Sequence, residues 1–137
     1  ENCEESLAIY DLLNEPGLAV NALAVRNNLT VALLRESRWV EAEAQCRQGL
    51  GAIAAPYAGH PHVGWARGFL GSVLLATGRQ PEAVAEFEVA KRVNAAQDPP
   101  SPALAALVEC GLGHTPAAGE MEQADRCAVL AADLSPR

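Results

Sequence analysis

The chain has 137 residues and carries 17 Asp and Glu against 10 Lys and Arg, which gives a formal net charge of −7. Its hydrophobic fraction is 50%, but only 4% of its residues are aromatic. A chain of this length can form one domain with a core of its own. The acidic balance opposes nucleic-acid binding, which needs clustered cations to neutralise phosphates. The apolar runs are shorter than the roughly 20 residues of a membrane span, so we expect neither nucleic acid nor a membrane as a partner.

The cysteines lie far apart in the chain, as Cys3, Cys46, Cys110 and Cys127. None of them forms the C-x-x-C step of a structural zinc site. We therefore expect reduced thiols in a cytoplasmic protein. The chain does not begin with methionine, and Met121 is its only one, so we expect a processed product or a piece of a longer protein.

The first predicted helix covers residues 4–14. Leu7, Tyr10 and Leu13 recur at three-residue steps, which places them on one helical face. Pro16 and Gly17 follow this segment and are typical of a break between helices. We expect this helix to be a cap or the remnant of a half-repeat.

A repeat follows this first helix. Residues 27–38 align without a gap with residues 68–79, at an offset of 41, and the register continues into the next helix. In both segments apolar residues recur at three- and four-residue steps, which indicates helices. Gly78 suits a left-handed helix C-cap, and Pro81 suits the first turn of the next helix. The pattern predicts two antiparallel helix pairs with tight turns, in residues 19–57 and 60–97.

The last part of the chain, residues 101–134, is predicted to be a degenerate third repeat or a cap. Pro99 and Pro100 disfavour helix in the residues before them. Ser101 or its neighbour suits the N-cap of a helix that contains Pro102 in its first turn and runs to Leu112. A loop and a final helix over residues 120–134 complete a single all-α domain over residues 1–137, with about seven helices.

These units resemble the tetratricopeptide repeat, and more closely the longer variety found in kinesin light chains and many bacterial proteins. In the second unit the landmark residues of that family match Leu70, Gly71, Leu74, Gly78, Ala83, Phe87 and Ala90. In the first unit and the linker the matching stretches are Asn27-Asn28-Leu29, Glu41-Ala42-Glu43 and Gly59-His60-Pro61-His62-Val63. The resemblance implies antiparallel helix-pair repeats that form a short right-handed α-solenoid.

The resemblance also implies a concave groove lined by the first helix of each pair. Asparagine side chains there can hold the backbone of an extended peptide, and arginines can bind a carboxylate. Alternatively, Asn28 satisfies neighbouring backbone groups and the arginines are solvated, while Trp39 packs under a turn and Trp65 packs against the preceding linker. The expected groove residues are Asn27, Asn28, Val31, Arg35, Trp65, Arg67 and Ser72.

No motif in the sequence predicts catalysis, a cofactor or a metal. The chain has no G-x-S-x-G elbow, no P-loop and no dinucleotide fingerprint after a strand. His60 and His62, two residues apart, cannot share a helical face. Gly111 and Gly113 are expected to end the helix between Cys110 and His114, which leaves those two residues without the further ligands that a metal needs.

The sequence therefore predicts a non-catalytic protein–protein interaction module that binds a peptide or partner segment in its groove. An alternative is a regulatory or oligomerisation domain of a larger bacterial signalling protein, such as a transcription regulator or a signalling NTPase. In that alternative, exposed terminal helices would pair two copies of the chain as a homodimer.

Overall fold

The computed structural model describes residues 16–113 together with Glu5. This part contains five α-helices and no strand, which confirms the all-α prediction. The helices are α1 (Pro16–Arg35), α2 (Trp39–Gly51), α3 (Pro61–Ala76), α4 (Gln80–Ala95) and α5 (Pro102–Leu112), with a 3₁₀ turn at Ala55–Tyr57 between α2 and α3. Apart from Glu5, the predicted helices over residues 4–14 and 120–134 lie outside the described residues.

The turns within the two helix pairs have the same backbone structure. Ser37, between α1 and α2, has a positive φ of 56°, and Gly78, between α3 and α4, has a φ of 79°. The amide of Arg38 donates to the Leu33 carbonyl at 3.0 Å, and the amide of Arg79, 41 residues later, donates to the Leu74 carbonyl at 2.8 Å. This is the six-residue closure of a Schellman motif. The predicted left-handed cap at Gly78 is confirmed.

The starts of α3 and α5 are also 41 residues apart. Pro61 and Pro102 are the first residues of these helices, where proline loses no intrahelical hydrogen bond. Before them, the His60 side chain accepts from the amide of His62 at 3.0 Å. The Ser101 hydroxyl accepts from the amide of Leu104 at 3.2 Å, which confirms the predicted N-cap. The repeat register thus extends into α5.

Consecutive helices pack against each other, and so do alternate ones. The α1–α2, α2–α3, α3–α4 and α4–α5 pairs are in contact, and α1 and α5 both pack on α3. Between α2 and α4 the described residues form no comparable contact. The helices that open each unit therefore form one continuous layer. The central helix, α3, is buried along most of its length.

The core depends on matched large and small residues. The Phe87 ring of α4 lies between Gly71 of α3 and Gly111 of α5. A Cβ atom at Gly111 would lie 2.3 Å from ring atoms of Phe87, and one at Gly71 would lie 3.0 Å away. In the first unit the smaller Cys46 occupies the position equivalent to Phe87. The larger Thr30 occupies the position equivalent to Gly71, and its side chain contacts Cys46. These glycines allow an aromatic ring between closely packed helices.

Over Gly17–Arg35, α1 is long and apolar enough to cross a membrane by length and composition alone. Core helices of soluble proteins pass the same test, and 44% of this window is buried inside the protein. Run lengths did not reveal this property, because Asn21, Arg26 and Thr30 interrupt the apolar runs of the helix. In the fold, α1 packs on α2 and α3. The absence of a membrane partner stays a prediction.

The cysteines differ from the prediction of reduced thiols. Cys46 is free and buried, as expected. Cys110, on α5, is disulfide-bonded, so the prediction is wrong at this position. Because disulfides persist mainly in oxidising compartments, the cysteines no longer support the prediction of a cytoplasmic location.

Candidate partner-binding site

Of the four groove residues predicted on α1, two are buried and two are exposed. Asn27 is buried, and its Nδ2 donates to the carbonyl of His62 at 3.1 Å. It therefore connects α1 to the first turn of α3. Val31 is also buried and belongs to the core. Asn28 and Arg35 are exposed, seven residues apart on one face of α1.

The groove residues predicted on α3 do not form an open surface. Trp65 is 5% exposed and packs on Phe69 with ring centroids 5.6 Å apart. Ser72 is fully buried, and its hydroxyl donates to the Gly68 carbonyl at 3.0 Å. Arg67 is ion-paired through Nη1 with Oε1 of Glu86 at 3.0 Å. Trp65 and Ser72 are buried because α4 and α5 pack along α3, whereas the Arg67 side chain is 34% exposed. A binding role for these three residues stays a prediction.

An exposed polar stripe remains on α1. Asn21, Asn28 and Arg35 follow one another at seven-residue steps and are all exposed, with exposed Ala32 between the last two. Residues at this spacing share one face of a helix. The sequence analysis did not include Asn21, although its spacing from Asn28 was visible. The stripe exposes two amide side chains, which can donate and accept hydrogen bonds, and one guanidinium.

A cleft of about 280 Å³ opens where the start of α3, the end of α4 and the loop before α5 meet. Its apolar lining consists of Pro61, Trp65, Val93, Pro99 and Leu104. Its polar lining consists of Asn94, Gln97, Asp98 and Ser101. Of these nine residues, sequence analysis had singled out only Trp65 as a site residue, since the cleft brings three separate segments together.

The side chain of Asn94 holds the loop that borders the cleft. Its Nδ2 donates to the Ser101 carbonyl at 3.0 Å, and its Oδ1 accepts from the Ser101 amide at 2.9 Å. Gln97 attaches the same loop to the preceding linker, because its Nε2 donates to the carbonyls of Gly59 and Val93, both at 2.9 Å. These contacts satisfy buried polar groups and fix the shape of the cleft.

The outer surface of the helix pairs carries a network of ion pairs. Glu43 of α2 pairs with Arg79, at the start of α4, and with Arg47 one turn further along α2. Hydrogen bonds from Arg79 and Arg47 lower the pKa of Glu43 to about 2. Because Arg79 belongs to the second unit, this network connects the two helix pairs.

The described cysteine and histidine side chains are partly or fully buried. Burial raises the pKa of the Cys46 thiol to about 12, which keeps it protonated and unreactive. His60 and His62 have ring centroids 4.6 Å apart, and burial together with the His60 charge lowers the pKa of His62. Within the part of the chain that the structure describes, no three His, Cys, Asp or Glu side chains converge as metal ligands would.

No protein-family model, no curated protein and no solved structure matches the chain. The likeness to tetratricopeptide repeats therefore depends on the residues of the chain alone.

Proposed function

We propose that the chain is a non-catalytic protein–protein interaction module of the tetratricopeptide type, which binds a peptide or a segment of a protein partner. Its helix pairs form a short right-handed α-solenoid, which the helices expected over residues 4–14 and 120–134 extend to about seven. The chain needs no cofactor or metal for this function.

The observation that carries this proposal is the continuous layer of α1, α3 and α5, which opens three successive units. Stacked helix pairs of this kind present extended surfaces, and such proteins commonly use these surfaces for binding. The exposed stripe of Asn21, Asn28 and Arg35 lies on the first helix of this layer. We assign the partner contact to this stripe, in place of the buried positions Asn27, Val31, Trp65 and Ser72.

Selection from a displayed random-peptide library, followed by calorimetric titration of the selected peptides, tests the proposal. The double variant Asn28→Ala/Arg35→Ala should weaken binding about tenfold or more, since it removes an amide and a guanidinium from the contact. The matched control is Gln48→Ala/Arg92→Ala, which removes the same two group types from exposed positions on α2 and α4. The control should bind normally, and both variants should melt within a few degrees of the native chain.

Two results would count against the assignment. Equal weakening by both double variants would show that the stripe has no special role. A failure to select any peptide, together with a monomer that captures no protein, would contradict the interaction module itself.

The alternative function, a regulatory or oligomerisation domain of a larger signalling protein, has one observation in its favour. Val40, on α2, has 82% of its surface exposed, although it is a large apolar residue. A second copy of the chain could cover it. Light scattering separates the two functions: a dimer that Val40→Ser converts to a monomer supports the alternative, and a monomer at all concentrations contradicts it.

A further inference from the structure

The cleft beside α5 combines an apolar wall with a single negative charge. Trp65, Val93 and Leu104 supply much of the wall, and Asp98 is the one charged residue among the described residues that line it. Asp98 is exposed to solvent. The volume of about 280 Å³ is just below the range of roughly 300 to 1,000 Å³ for small-molecule pockets. The cleft is therefore of the size that takes one amino-acid side chain.

The polar groups around the cleft are mainly acceptors. Both polar atoms of the Asn94 side chain are engaged by Ser101. The Nε2 of Gln97 donates to two carbonyls, so the atom that Gln97 can still offer to a ligand is its acceptor, Oε1. The Asp98 carboxylate is likewise an acceptor. An anionic ligand would meet this carboxylate without a compensating cation, whereas a ligand with N–H donors and a positive charge would be complementary.

We propose that the cleft binds a lysine or arginine side chain from a basic segment of a protein partner. The aliphatic stem lies against the apolar wall, and the cationic head reaches Asp98 at the rim, as such side chains do when they bury their stems and keep the charge near water. The net charge of −7 adds a long-range attraction for such a segment. This inference rests on the proposed function and names the chemistry of the partner.

Titration by nuclear magnetic resonance tests the inference through the indole N–H signal of Trp65, assigned with a Trp39→Phe variant. The probe is a capped glycine–alanine peptide with one central lysine. Two comparison peptides carry norleucine, which has the same stem without the charge, or glutamate at that position. The lysine peptide should shift the Trp65 signal and bind about tenfold more tightly than either comparison peptide.

Two variants make the result specific to the cleft. Asp98→Asn removes the charge with little change of shape and should bring the preference for lysine over norleucine close to one. Glu88→Gln removes the same charge from an exposed position on α4 that does not line the cleft, and it should leave the preference intact. Melting temperatures of both variants show whether the fold is retained.

Several outcomes would overturn the inference. These are equal binding of the lysine and norleucine peptides, a preference for glutamate, no shift of the Trp65 signal, or a preference that survives Asp98→Asn. Peptides selected from the library give the separate test of the proposed function. If such a peptide binds through the α1 stripe and is unaffected by Asp98→Asn, the interaction module stands and the lysine cleft does not.

Discussion

Equivalent arginines in the two helix pairs make the same interhelical contact, but the acceptor is neutral in one pair and charged in the other. In the α1–α2 pair, Nη1 of Arg26 donates to Oε1 of Gln45 at 2.9 Å. In the α3–α4 pair, the equivalent Arg67 donates to the carboxylate of Glu86 at 3.0 Å. Arg26 is 5% exposed, whereas the side chain of Arg67 is 34% exposed. The comparison indicates that the repeat preserves the geometry of a contact, while the charge of its acceptor varies between units.

The arginines that follow the two turns show a similar difference. Arg38 pairs with Glu36 and Glu41, which flank the same turn. The equivalent Arg79 pairs instead with Glu43 of the preceding unit. One position therefore supports a turn in the first unit and joins two units in the second. Substitutions in the core, in the ion pairs and at the turns test how the units differ.

The largest effect is expected for Gly111→Ala. Its Cβ atom would lie 2.3 Å from the Phe87 ring, so α5 or the ring must move. Overpacking of this kind costs about 1 to 3 kcal/mol of the free energy of unfolding. Urea denaturation measures it, with Gly51→Ala as the control, because a Cβ atom there meets nothing within 4 Å. Equal stability of the two variants would mean that the slot around Phe87 is not tightly packed.

The next effect concerns Glu43 and pH. Its pKa of about 2 in the folded chain is below the ordinary value of 4.5, so the ion pairs stabilise the fold above pH 4.5. That contribution falls as the pH decreases from about 4.5 towards 2. We expect Glu43→Gln to cost about 1 to 2 kcal/mol at pH 7, discounted for the solvent exposure of both arginines, and about half as much at pH 3.

Denaturation of the native chain and the Glu43→Gln variant at both pH values measures this change. Glu88→Gln serves as the control, since it removes a carboxylate from the exposed face of α4. If the cost of Glu43→Gln were the same at pH 3 as at pH 7, the link between the two units would not be an ion pair.

A smaller effect is expected for Glu86→Gln, which gives the second pair the acceptor type of the first. Arg67 keeps a hydrogen bond but loses its charge partner, and its Nε atom is buried without an acceptor among the described residues. We expect a cost of about 1 kcal/mol in denaturant-induced unfolding. Glu82→Gln, at a more exposed ion pair of 3.7 Å with Arg47, should cost close to nothing. A result in which both variants cost the same would remove the distinction between the two contacts.

The smallest effect is expected at the turns, where Ser37→Gly should stabilise the chain by about 0.5 kcal/mol. A serine with a positive φ is strained, whereas glycine at the equivalent position 78 is not. The reverse change, Gly78→Ser, should destabilise the chain by a similar amount. Thermal unfolding of both variants measures the pair, and opposite signs are expected. Destabilisation by both would indicate that the Ser37 side chain has a role beyond its backbone conformation.

The predicted binding residues show where sequence reasoning stops. Seven positions follow from the resemblance to the repeat family. The structure leaves Asn28 and Arg35 exposed and Arg67 partly exposed, while it buries Asn27, Val31, Trp65 and Ser72. Spacing fixes which residues share a helical face, but not which neighbouring helix covers that face. Gly68 illustrates the reason, because its backbone lies against Leu104 and Leu107 of α5, far away in the sequence.

The sequence by itself determined the all-α class, the 41-residue register, the left-handed cap at Gly78 and the N-cap at Ser101, since helical period and turn chemistry act over a few residues. Only the tertiary structure decided the burial of Trp65, the pairing of Arg79 with Glu43 and the cleft around Asp98. These features depend on how separate helices pack in three dimensions, and local patterns contain no information about the partner that each face meets.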